Sequence, residues 1–181
     1  MKRSLRFAIF FTAFTGGCIL ATSLFGCGGG GGGSNFAGAA LVRISAQPRT
    51  IDVGDQTQIR ITISDVHQNG IALKIRYPSD LEYVRNSAIL QVEGEEVDLA
   101  PAVNTSDGDD TFLVFFLSND TFGKDDRGEL FVELEGKAEN EDAGVEVDAD
   151  VDDPDIDNDS EFSVDMPEFS AEDEIFIFIA G

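Results

Sequence analysis

From Leu41 onward, apolar residues recur at every second position, the period of a strand with one buried face. In "QIRITIS", Ile59, Ile61 and Ile63 share one side and Gln58, Arg60 and Thr62 the other. "IALKIRY" sets Ile71, Leu73, Ile75 and Tyr77 against Lys74 and Arg76, and "ELFVELEG" sets Leu130, Val132 and Leu134 against Glu129, Glu133 and Glu135. "VEVDADVD" alternates Val145, Val147, Ala149 and Val151 with four acids. The run from Thr111 to Ser118, "TFLVFFLS", is apolar on both sides and reads as a central strand. In "EIFIFIAG" one side is Ile175, Ile177 and Ile179 and the other Phe176 and Phe178. Water cannot bathe both, so this strand is either central or an edge that pairs with something else.

Turn signals separate these runs: Val53-Gly54-Asp55, Gln68-Asn69-Gly70, Ser106-Asp107-Gly108 and Gly123-Lys124-Asp125. No segment sustains a helical period. Short alternating strands at close spacing predict an all-β antiparallel sandwich or barrel.

The order of the pieces resembles the cohesin-like fold, a nine-stranded jelly-roll sandwich related to several cellulose-binding modules. "LVRISAQP", "DVGDQTQIRITISDV", "GIALKIRYPSDLEYV", "RGELFVELEGKA" and "DEIFIFIAG" carry the resemblance, and "IRYPSDLEYV" is its most specific stretch. Similar stretches occur in immunoglobulin-like surface repeats. The resemblance implies a β-sandwich of jelly-roll topology over 41–181 and a role in binding another protein. It carries no partner-contacting residue onto this chain.

Ahead of the strands, the chain changes character. Lys2, Arg3 and Arg6 precede an uncharged stretch from Phe7 to Phe25, the arrangement of an export signal. Read as a membrane span, the stretch sits at the short end of the roughly 20 residues required, and it contains Gly16 and Gly17. Leu24-Phe25-Gly26-Cys27 resembles a bacterial lipobox, in which the cysteine is diacylated and becomes the mature N-terminus; Phe25 is bulkier than the pattern favours. Thr15-Gly16-Gly17-Cys18 is a second candidate, but its apolar stretch is short. The lipobox resemblance implies palmitate-type acylation at Cys27 and a membrane anchor, since two or more acyl chains hold stably at about 0.8 kcal/mol per buried methylene. Gly28 stands where an inner-membrane retention signal carries Asp. The expected location is the cell envelope: the outer membrane in a Gram-negative cell, otherwise the outer face of the cell membrane.

The predicted organisation is a signal peptide at 1–26, a lipidated Cys27 with a glycine-rich tether at 27–40, and a sandwich at 41–181. With Cys18 removed and Cys27 acylated, the mature domain has neither free thiol nor disulfide.

Charge sharpens the picture. The chain has 12 basic and 35 acidic side chains, and the three basic residues of the signal are lost on processing. The acids concentrate beyond residue 92, a field that repels nucleic acid and anionic lipid. The densest stretch is "DADVDDPDIDNDSEFSVD", where Asp155, Asp157 and Asp159 have the one-three-five spacing of a calcium loop. Ser160 and Met166 occupy positions where an EF-hand needs Gly and Glu, which leaves a looser calcium site or a solvated acidic surface.

Catalytic residues are scarce. His67, in "SDVHQNG", reads as an exposed turn residue, and Ser64 and Asp65 beside it in sequence do not make a triad. The chain has no Trp and only Tyr77 and Tyr83, against the aromatic platforms that carbohydrate modules present. The expectation is a non-enzymatic, surface-tethered interaction or scaffold module with a protein partner. A carbohydrate-binding module and a calcium-stabilised envelope component are the alternatives.

Overall fold

The computed structural model describes Phe36 and residues 38–149 and 169–181. Two six-stranded sheets face each other across one apolar core. The first contains β1 (Leu41–Gln47), β3 (Gln56–Ser64), β10 (Gly128–Gly136), β6 (Ile89–Val92) and β7 (Glu95–Asp98) in that order, with β5 (Leu81–Tyr83) also on β10. The second runs β2 (Thr50–Asp52), β12 (Asp173–Ala180), β11 (Asn140–Asp148), β4 (Ile71–Pro78), β9 (Asp110–Leu117) and β8 (Val103–Asp107). Every pairing between named strands is antiparallel except β12 with β2.

The chain crosses repeatedly between the two sheets and returns between strands already laid down, the winding of a jelly-roll sandwich. The described strands number twelve rather than nine, because short pieces such as β2, β5 and β7 complete the sheet edges. Among the described residues a single 3-10 turn, Asn119–Phe122, interrupts the β structure and buries Phe122.

Alternation explains the core. Ile59, Ile61 and Ile63 of β3 and Leu130, Val132 and Leu134 of β10 face inward from the first sheet. Leu73, Ile75 and Tyr77 of β4, Leu113 and Phe115 of β9, and Ile175, Ile177 and Ile179 of β12 meet them from the second. The two-sided character of β9 fits its interior place between β4 and β8, where Phe112 and Val114 on its outer side are buried as well. For β12, the isoleucine side is the core side, while Phe176 and Phe178 stay 47% and 42% exposed. Among the described residues only β2 pairs with its outer margin, over Phe178–Ala180.

Packing begins ahead of the expected boundary at residue 41. Gly38 bridges Ile71 in parallel, its N–H donates to the Gly70 carbonyl at 3.1 Å, and the His67 N–H donates to the Ala39 carbonyl at 3.0 Å. Phe36 stacks on Phe116 with ring centroids 5.1 Å apart. The approach is so close that a Cβ on Gly38 would lie 2.4 Å from the Gly70 carbonyl oxygen, so only glycine fits. The incoming chain is thereby fastened at the end of the sandwich where β4 starts and β3 and β9 finish.

Candidate functional site

Two places in the described residues concentrate chemistry. The first is on the outer side of the second sheet. Alternation puts Ala72, Lys74 and Arg76 of β4 on that side, as expected, but Lys74 does not reach water: its side chain is 1% exposed. Lys74 stands directly across from Asp148 of β11 on one flank and Val114 of β9 on the other. Its ammonium lies 2.6 Å from Asp148 Oδ2, a carboxylate with no exposure. Residues 169–172 cross above: the Ser170 N–H donates to Asp148 Oδ2 at 3.0 Å, and the Glu172 N–H to the Val147 carbonyl at 2.9 Å. The Phe169 ring sits 5.9 Å from Lys74 Nζ and 4.5 Å from Arg76 Cζ, with its edge to Phe112.

One step along the same strand pair, the Arg76 Nε–H donates to Glu146 at 2.5 Å. That hydrogen bond raises the guanidinium above its ordinary range despite partial burial. The group is a covered ionic clasp. Two buried charges are tolerated because each holds the other and the Ser170 amide occupies a further carboxylate lone pair. The periodicity of "IALKIRY" locates Lys74 on this side, and the return of residues 169–172 from far along the chain is one part of its cover.

The second place is a cleft of about 450 Å³ at the opposite end from the docked Gly38 segment. It exists because the sheets end unequally there. Beside the distal half of β10 the first sheet offers only β5, whereas the second sheet continues through β9 to β8. The inner side of β8 therefore overhangs. Asn104 is opposite Leu113, and Ser106 is opposite Thr111, so these residues lie on the core-facing side of the sheet. They are nonetheless polar, and Asn104 and Ser106 are exposed. Tyr77 and Tyr83, one from each sheet, form the inner wall. Arg85 and Lys137 stand at the rim, with Lys137 2.9 Å from Glu82 and 3.0 Å from Glu135. Lys137 holds the Glu82 carboxyl below its usual range, with a smaller contribution from Arg85.

Burial drives the Tyr77 phenol well above its ordinary range, and a hydrogen bond to the Tyr83 backbone offsets part of that. The Tyr83 hydroxyl, in a residue only 8% exposed, is a buried side-chain polar atom with no hydrogen-bond partner among the described residues. Sequence reading placed Tyr77 on the core side, as found. The inward-facing polar residues of β8 were missed because "VNTSD" has no apolar alternation to mark it as a strand.

The residues singled out from sequence fall differently. Cys27, Cys18, Asp155, Asp157 and Asp159 lie outside the described residues. Among the described residues no group of three or more His, Cys, Asp or Glu side chains is placed to hold a metal ion. His67 is in an exposed turn, where its Nδ1 accepts the Asn69 N–H at 3.2 Å. Among the described residues no helix is long and apolar enough to cross a membrane.

No protein-family model matches the chain, and no curated protein sequence matches it. Solved structures resemble it at low identity. A cohesin module from a Clostridium perfringens family 33 glycoside hydrolase is 13% identical with a TM-score of 0.37, over 79% of this chain and 98% of that one. The T6 backbone pilin of serotype M6 Streptococcus pyogenes is 9% identical with a TM-score of 0.46, over 79% of this chain and 36% of the pilin. AvmM, described as catalysing macrocyclization in alchivemycin A biosynthesis, is 11% identical with a TM-score of 0.46, over 79% and 89%. The chain spans only 29%, 36% and 35% of the adhesin and pilin chains it matches. At such identities and TM-scores the likenesses decide neither topology nor activity, and both rest on the strand order and side chains above.

Proposed function

We propose that this protein is a surface-tethered lipoprotein whose β-sandwich acts without catalysis, as an interaction or scaffold module of the cell envelope. The carrying observation is the way the chain enters the domain. Phe36 and Gly38–Ala40 are fastened where β4 begins, and the Tyr77–Tyr83 cleft opens at the other end. A lipid on Cys27, held through the glycine-rich stretch that follows it, would anchor the fastened end and present the cleft outward. His67 serves its turn, and the Lys74–Asp148 charges serve packing, which fits a binding rather than a catalytic domain.

The anchor is tested by fractionation with mass analysis of the N-terminus. Cys27→Ala should leave the protein unprocessed or released, while Cys18→Ala should leave membrane attachment unchanged. Attachment that survives Cys27→Ala would overturn the reading. The one-three-five spacing in the acid-rich stretch supports a second proposal, a calcium site at Asp155, Asp157 and Asp159 that stabilises the domain.

A further inference from the structure

We propose that the Tyr77–Tyr83 cleft is a binding site for a neutral, hydroxyl-rich ligand, a short stretch of a polysaccharide. The inference rests on the reading of the domain as a binding module and gives it a ligand class.

Three observations converge on it. The first is a break in the binary pattern. A strand side that faces the core should be apolar, and on β9 and β4 it is, with Leu113, Phe115 and Ile75. On the overhanging β8 the same side carries Asn104 and Ser106, and Thr111 sits beside them. Departures of this kind concentrate where a protein does something other than fold. The second is the Tyr83 hydroxyl. Burying a hydroxyl without a partner costs about 1–3 kcal/mol, so natural proteins rarely leave one. Tyr83 lines this cleft with its hydroxyl shielded from water, and an incoming hydroxyl that both donates and accepts would complete it on a shift of the ring toward the ligand.

The third is charge. In a chain of net charge −23 the rim cations Arg85 and Lys137 both act on Glu82, so the cleft mouth is balanced rather than cationic. An anionic sugar would meet the surrounding acidic field with little to hold it. What remains on the walls is a set of neutral donors and acceptors, Ser79, Asn104, Ser106 and Thr111, around two phenol rings. The Ser106 and Thr111 hydroxyls already bond to each other at 3.1 Å, and each keeps further bonding capacity for a ligand. A peptide would want deeper apolar pockets than Leu81 and the ring faces provide.

The chain supplies its own probe. It has no Trp and two Tyr, and both Tyr line the cleft, so intrinsic tyrosine emission reports this site alone. The full chain, in a detergent without sugar headgroups, is titrated with cellohexaose, N-acetylchitohexaose and maltohexaose. At least one should change the emission saturably. The double variant Asn104→Ala, Ser106→Ala should abolish the change while its thermal melt matches the unaltered chain. Tyr83→Phe, read through Tyr77, should weaken binding about tenfold, the worth of one good hydrogen bond.

No saturable response to any of the three sugars overturns the proposal. So does an affinity unchanged in the double variant, or a response to peptides in place of sugars. Membrane attachment is measured separately, so a failed titration in a protein that still partitions to membranes removes the sugar site and leaves the tethered module standing.

Discussion

Removing the ammonium of Lys74 tests the most unusual piece of chemistry in the fold. Lys74→Met keeps the length and apolar stem of the side chain but leaves Asp148 ionised, or forces it to take up a proton, at a position with no exposure. Breaking one side of such a pair costs about 3–5 kcal/mol, most of it the desolvation of the remaining charge. For a domain of this size, at roughly 3–4 °C per kcal/mol, the melting temperature should fall by roughly 10–20 °C. The double variant Lys74→Met, Asp148→Leu removes both charges and both desolvation penalties. It should return to the parent stability or exceed it, by about 1–4 kcal/mol at most. The difference between the double variant and the sum of the singles is then a large coupling, as expected of groups in contact. Arg60 paired with Glu129 is the control: the same kind of cross-strand pair, but with the Arg60 side chain 51% exposed, so Arg60→Ala should change the melt little. Urea and thermal denaturation followed by circular dichroism read all four variants. If Lys74→Met melts within a degree or two of the parent, water reaches the pair and the clasp is not sealed.

Tyr77 gives a prediction in alkali. Its phenol is raised by burial above the unfolded value of about 10. The folded state therefore keeps a proton that the unfolded state releases, and the stability this contributes is intact below about pH 10 and declines as the pH rises above it. In a Tyr83→Phe background, the phenolate absorbance of Tyr77 should appear together with unfolding. Titration in the ordinary range by a still-folded domain would refute its burial. The proposed calcium site predicts that, in high salt, the melt rises with calcium over chelator by about 2.7 kcal/mol at a hundredfold excess over the dissociation constant. The rise should vanish when Asp155, Asp157 and Asp159 are changed to Asn, and equal melts in calcium and chelator would leave these acids as a solvated surface.

The sequence by itself determined the strands with one dry side. Ile59, Ile61 and Ile63, or Leu130, Val132 and Leu134, can be buried together only in a period of two, and the glycine turns between such runs limit where the chain reverses. It also determined the inward direction of Tyr77 and the exposure of His67 in its turn. Tertiary structure decided whatever depends on a partner distant in sequence. Lys74 and Asp148 are 74 positions apart in the numbering, each on the outward side of its own strand, and nothing local distinguishes them from Arg76 and Glu146. Pairing β4 with β11 brought the two outward charges together, and Phe169 and Ser170, from far along the chain, help cover them. The cleft is likewise a property of two sheets that end unequally beside the distal half of β10. "VNTSD" has no alternation to declare itself a strand, and its polar residues acquire an inner side only when β8 pairs with β9 beyond the edge of β5. Local periodicity records which side of a strand avoids water. Which sides are covered, and where a gap is left between them, is set by long-range pairing, which that periodicity does not encode.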